Sequence, residues 1–105
     1  MKEHAFKMKL KQGYEEEYKI RHDQIWPELV RALKEAGIHE YSIYLDEKTG
    51  SLFAVQKLDD DNEIDRLSEL PVMKKWWDYM KDIMEVNPDH SPVVIPLENA
   101  FHMEE

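Results

Sequence analysis

Tyr41-Ser42-Ile43-Tyr44-Leu45-Asp46-Glu47-Lys48-Thr49-Gly50-Ser51-Leu52-Phe53-Ala54-Val55 decides the architecture. Residues 41–45 and 52–55 carry the aromatic and branched side chains that suit a pleated sheet. The polar segment between them ends in Gly50, which supplies the positive φ of a short hairpin loop, so the stretch reads as an antiparallel pair. Tyr41, Ile43 and Leu45 share one face and Tyr44 the other, so apolar groups stand on both sides of the sheet in places.

Outward from this pair the period changes. Tyr14, Tyr18, His22, Ile25, Leu29, Leu33 and Ala36 follow at steps of three or four, a helical stripe that ends at Gly37. Pro27 interrupts it, having no N–H for the Asp23 carbonyl and disfavouring helical geometry at Trp26, so a kink or a break into two pieces is expected. Downstream, the acidic run Asp59-Asp60-Asp61-Asn62 precedes Ile64, Leu67 and Leu70, where acids favour the positive end of a helix. Pro71 begins a second helical segment carrying Met73, Trp76, Trp77, Met80, Ile83 and Met84.

The ends complete the pattern. Residues 4–11 alternate, with His4, Phe6, Met8 and Leu10 on one face and Lys7, Lys9 and Lys11 on the other, the period of a half-buried strand. After the turn-rich Asn87-Pro88-Asp89-His90-Ser91-Pro92, residues 93–101 read as a last strand, placed at an edge by Pro92 and Pro96. The order strand, helix, strand, strand, helix, strand predicts an α+β, ferredoxin-like sandwich over residues 1–105, one domain. Helices cover one face of such a sheet. A second copy packed sheet to sheet would bury the other, so a homodimer of the dimeric α/β barrel type is expected.

Composition narrows the function. Fourteen Lys and Arg stand against 23 Asp and Glu, a formal net charge of −9. That balance repels phosphate backbones and anionic lipid, which argues against nucleic-acid and membrane partners. Cysteine is absent, which excludes disulfides, thiolate nucleophiles and Cys-ligated metals. The N-terminal residues carry alternating charges rather than an apolar run, so the expectation is a soluble cytoplasmic protein. There is no His-Glu-x-x-His, Gly-x-Gly-x-x-Gly, phosphate-binding loop or Gly-x-Ser-x-Gly. The acidic run 59–63 lacks the Gly and distal Glu of an EF-hand, and helix capping accounts for it better than calcium. No metal site is predicted.

Histidine titrates near neutral pH without special perturbation, so the five His are the first acid–base candidates. His22 stands out, one turn after Tyr18 on the same stripe and just before the segment that Pro27 distorts. Against it stands the plain reading of a satisfied surface histidine. His4 shares the parity of Phe6 and Met8, as a partly buried polar residue would. His39 lies just past a helix end, placed to bond terminal carbonyls. His90 sits in the Pro-rich turn and His102 near the C-terminus. Trp76 and Trp77 point about 100° apart on a helix, so one can enter the core while the other lines a groove. Indole and phenol rings offer an apolar face and a polar rim, which suits them to carbohydrate as well as to core packing. Tyr18 and Tyr41 bring phenols from helix and strand.

Arg21-His22-Asp23-Gln24-Ile25-Trp26-Pro27-Glu28-Leu29, Trp76-Trp77-Asp78-Tyr79-Met80 and the turn at 87–92, in this order and spacing, resemble the L-rhamnose mutarotase family over nearly the whole chain. The resemblance implies a small homodimeric ferredoxin-like isomerase that interconverts the α and β pyranose forms of L-rhamnose with no cofactor. It implies His22 as proton donor and Tyr18, Tyr41, Trp76 and Trp77 as sugar-binding residues, and gives His90 no role. Two alternatives stand beside it: a sugar-binding or sensing module without catalysis, and a dimeric ferredoxin-like monooxygenase, the latter on fold analogy alone.

Overall fold

In the computed structural model, which describes all 105 residues, the central hairpin forms as β2 (Ile38–Asp46) and β3 (Ser51–Leu58). Around it run β1 (Lys2–Lys9), α1 (Glu15–Asp23), α2 (Pro27–Glu35), a 3₁₀ helix (Ile64–Glu69), α3 (Pro71–Met80) and β4 (Ile95–Pro96). The sheet has the order β2-β3-β1-β4, every pairing antiparallel. This is the ferredoxin-like arrangement, with the first and third strands adjacent at its centre. No helix is long and apolar enough to cross a membrane.

The hairpin is closed as its sequence requires. Gly50 has φ +75° and donates its N–H to the Asp46 carbonyl at 2.8 Å. Its own carbonyl accepts from Leu10 at 2.8 Å, and a Cβ on Gly50 would lie 2.7 Å from the Leu10 carbonyl oxygen. Only glycine fits against that backbone. The loop is thereby tied to the end of β1.

Alternation sets the core. Phe6, Met8 and Leu10 from the first strand region and Leu52 and Ala54 from β3 are buried together with Tyr18, Leu29, Trp76, Met80, Ile83 and Met84. A smaller cluster of Ala36, Ile38, Leu58 and Leu67 forms beside it, and Leu33 and Met73 pack against both.

Pro27 breaks the helical stripe outright. Trp26 is extended (φ −64°, ψ 129°), and Pro27 takes the first position of α2, where its missing N–H costs nothing. The Trp26 carbonyl accepts from both Leu29 and Val30. The stripe keeps its inward face across the break except at Tyr14, which flanks α1 and is exposed.

Three expectations are corrected. The predicted helix through Met84 ends at Met80. Ile83 and Met84 are buried beyond it because the chain turns there to pair with the end of β1, Lys11 donating to the Ile83 carbonyl and Glu85 to that of Lys9. The predicted strand over residues 93–101 is only Ile95–Pro96, since Pro92 and Pro96 can donate no ladder bond. The acidic run leads into a short 3₁₀ helix, at whose start the Asn62 side-chain oxygen, rather than a carboxylate, accepts from Ile64 N–H at 3.3 Å.

Candidate functional site

Between the helices and the sheet lies a cavity of about 460 Å³, within the range of small-molecule sites. A second cavity of about 240 Å³ adjoins it. Tyr18, His22, Tyr41 and Trp76 line both, and Trp77 lines the second. All five residues singled out in the sequence therefore converge on one space.

Helix α1 carries the candidate acid–base group. Glu15, Glu16 and Glu17 at its start and Arg21 and His22 at its end complement the helix dipole. His22 Nδ1–H donates to the Tyr18 carbonyl one turn back at 2.9 Å. The neutral ring thus carries its hydrogen on Nδ1 and its lone pair on Nε2, which has no protein partner. The imidazole lies against the Tyr18 ring, centroids 4.2 Å apart, and meets Trp76 edge-on at 5.4 Å. Burial lowers its pKa, opposed by the Tyr18 carbonyl bond and more weakly by Asp23, so near neutral pH the ring is mostly uncharged and ready to accept a proton.

The two phenols are held in the opposite sense. Tyr18 is buried, and burial raises its pKa well above the ordinary value, with the neighbouring Tyr41 adding to the shift. Tyr41 keeps 38% of its surface open, so water tempers the effect, yet the crowding around its phenol pushes it up to about 12, with Gln56 acting in the opposite direction. Both hydroxyls stay protonated and so can donate hydrogen bonds.

Trp76 is buried and Trp77 half-buried, as expected for adjacent positions about 100° apart on α3. Trp26 stacks edge-on against Trp76 at 5.1 Å and lies 5.6 Å from Tyr79. Arg21, with a side chain only 10% exposed, locks α1 to the end of α3. Its guanidinium makes a two-pronged bond to Asp82 at 2.9 and 3.1 Å, donates to Glu17 at 3.1 Å and to the Tyr79 carbonyl at 2.8 Å, and lies over the Tyr79 ring. The residue beside His22 is therefore clamped from three sides.

Of the other histidines, His39 bonds the Asp59 carboxylate at 2.5 Å instead of terminal carbonyls, because β2 begins beside the loop that leaves β3. His90 adopts φ +73°, lies 3.2 Å from Asp78 and lines the second cavity. His4 is half-buried as its parity predicts, and Nδ1 meets the Gln56 side-chain oxygen at 3.1 Å. Gln56 was not singled out by the sequence reading, although the alternation of β3 carries past Val55 and sets this polar residue among Leu52, Ala54 and Leu58.

A half-buried imidazole with a free lone pair, two phenol donors and indole faces can bind an uncharged polyhydroxylated ring and move protons between its oxygens.

Comparison with known proteins agrees with that chemistry. The sequence pattern of the family described as L-rhamnose mutarotase matches residues 3–103. The chain is 58% identical over 100 residues to L-rhamnose mutarotase of Flavobacterium johnsoniae, covering 95% of this chain and 94% of that protein. It is 55% identical over 104 residues to L-rhamnose mutarotase of Bacteroides thetaiotaomicron, covering 99% and 100%. A crystal structure of L-rhamnose mutarotase from Formosa agariphila superposes with a TM-score of 0.92 at 55% identity, covering 99% of this chain and all of that one.

Proposed function

The chain belongs to the L-rhamnose mutarotase family and is an isomerase of sugar anomers, and from that premise we propose that His22 performs the proton transfers that interconvert α- and β-L-rhamnopyranose. The observation that supports this role is the His22 Nδ1–H bond to the Tyr18 carbonyl, which leaves the Nε2 lone pair free among Tyr18, Tyr41 and Trp76.

The reaction needs little else. The anomeric hydroxyl gives its proton to Nε2, and the bond from the anomeric carbon to the ring oxygen breaks as the imidazolium delivers that proton to the ring oxygen. His22 is the proton donor at this step, and the neutral imidazole is regenerated. The aldehyde end rotates, and the same transfers in reverse close the ring on its other face. Atoms balance, and one positioned acid–base group contributes about 10²–10⁴ in rate. Tyr18 and Tyr41 donate to sugar oxygens, while Trp76 and Trp77 cover the apolar side of the ring and the methyl at carbon six. That methyl contributes only about 1–3 kcal/mol of preference over sugars lacking it.

A homodimer belongs to the same proposal. The outer sheet face carries Tyr44 and Phe53, 65% and 37% exposed on the adjacent strands β2 and β3, and Ile95, 52% exposed on β4 beyond Lys7 of β1, and a second copy would cover them. Sedimentation at micromolar concentration is expected to give twice the chain mass, and a monomer would remove this part of the proposal. For the activity the test is saturation-transfer NMR on equilibrated L-rhamnose. Exchange between anomers is expected to accelerate with added protein, and exchange no faster than in buffer would refute the reading. Neither the sensing nor the monooxygenase alternative is favoured by the family.

A further inference from the structure

The cavity side of the sheet sets beside Tyr41 two polar residues, Gln56 and His4, that the mechanism above does not use. Gln56 on β3 is the direct cross-strand partner of Tyr41 on β2 and of His4 on β1, so the three side chains stand abreast on the cavity side. All three line the second cavity together with His22, Trp76 and Trp77. Gln56 is only 6% exposed and is the one buried polar residue of the chain. A strand position between Ala54 and Leu58 would ordinarily hold an apolar side chain.

Its two ends are used differently. The side-chain oxygen accepts from His4 Nδ1–H at 3.1 Å, which fixes the orientation of the amide. The nitrogen, with two hydrogens, is consequently turned away from His4. It makes no hydrogen bond of ordinary length within the protein, yet no buried polar atom is sealed off without a partner, so the nitrogen opens onto the cavity. Gln56 draws the Tyr41 phenol pKa down against burial, the effect of an N–H directed toward the phenol oxygen. That leaves the second N–H for something in the cavity. A buried amide donor that nothing accepts is destabilising, so the site favours a ligand oxygen there.

We propose that Gln56 is a further substrate-binding residue, whose amide N–H, oriented by His4, donates to a hydroxyl oxygen of the pyranose beside the one held by Tyr41. The proposal rests on the mutarotase reading and adds to it a polar contact from the sheet, fixed by strand register rather than by a loop. The contact selects a sugar with a hydroxyl at that position and weakens binding of one without it, because the amide is then left unpaired.

The test compares the wild type with Gln56→Met, of similar length but without the donor, in NMR exchange assays on L-rhamnose and its 2-, 3- and 4-deoxy analogues. The expected result is a KM for L-rhamnose raised about three- to tenfold with kcat little changed. The penalty should vanish for the one analogue lacking the contacted hydroxyl. A folded Gln56→Met protein with unchanged KM overturns the inference while leaving the mutarotase reading in place. A wild type that does not accelerate exchange overturns that reading instead. An independent arm needs no variant: the Gln56 side-chain ¹⁵N–H₂ signals of the wild type, identified by specific labelling, should shift on titration with L-rhamnose. Signals that stay fixed while the sugar saturates the protein would sink the assignment.

Discussion

On the helical wall of the cavity His22 is held by its own helix, through the carbonyl of Tyr18 four residues earlier, whereas on the sheet wall Tyr41, Gln56 and His4 are held by the register of three strands, with β1 remote in sequence from the β2–β3 hairpin. The helical device fixes a tautomer. It commits one ring nitrogen to the backbone and frees the other, which proton transfer needs. The sheet device fixes a row of donors at the spacing of neighbouring strands, which recognition of several hydroxyls needs. Damage to the first wall should fall on turnover and damage to the second on binding.

The sharpest break of that contrast is His22→Ala. The accelerated exchange should fall by about 10²–10⁴ with circular dichroism unchanged, and retention of the full rate would show that the helical wall does not carry the chemistry. Trp76→Ala removes a buried ring that packs against both His22 and Trp26, and thermal or urea denaturation should show a loss of about 3–5 kcal/mol.

Acid sharpens the comparison without a mutation. The His22 pKa lies below its ordinary value of 6.5 because of burial, so Nε2 keeps its lone pair at neutral pH. The rate should hold through neutrality and fall about tenfold per pH unit once pH drops below the folded pKa. Stability follows the same sign. The unfolded chain protonates this ring first, so the contribution of His22 is complete above about 6.5 and is lost as pH falls from there through the lower folded value. A pH–rate profile recorded with a parallel melting series separates the two effects.

The smallest expected change is on the sheet wall. Tyr41→Phe should raise KM by about three- to tenfold while kcat stays within about twofold, measured by the same NMR exchange. A large fall in kcat would erase the division of labour between the walls.

Most of the scaffold is legible in the chain because its signals are local. Gly50 closes the hairpin, Pro27 splits the stripe, and the parity of residues 4–10 puts Phe6, Met8 and Leu10 inward. His22 and Tyr18 are readable for the same reason, lying one helical turn apart. What escapes is set by partners distant in sequence. His39 bonds Asp59 rather than the carbonyls beside it, and Ile83 and Met84 leave the helical pattern to follow the end of β1. Arg21 looks like an ordinary helix-end charge until Asp82 and the Tyr79 carbonyl are brought to it across the fold. Gln56 had a local signal, a polar side chain in the inward phase of a strand, but its meaning depends on His4 and Tyr41 arriving on either side.

The larger cavity is lined from both apolar clusters, by Leu29 and Trp76 of one and Ile38 of the other, with Leu33 and Met73 touching both. A sugar seated there acts as a keystone, joining the portion of the molecule around the 3₁₀ helix to the portion around α1 and α3. Occupancy should make those halves melt as one body, so the substrate is also a reporter on the cooperativity of its own host.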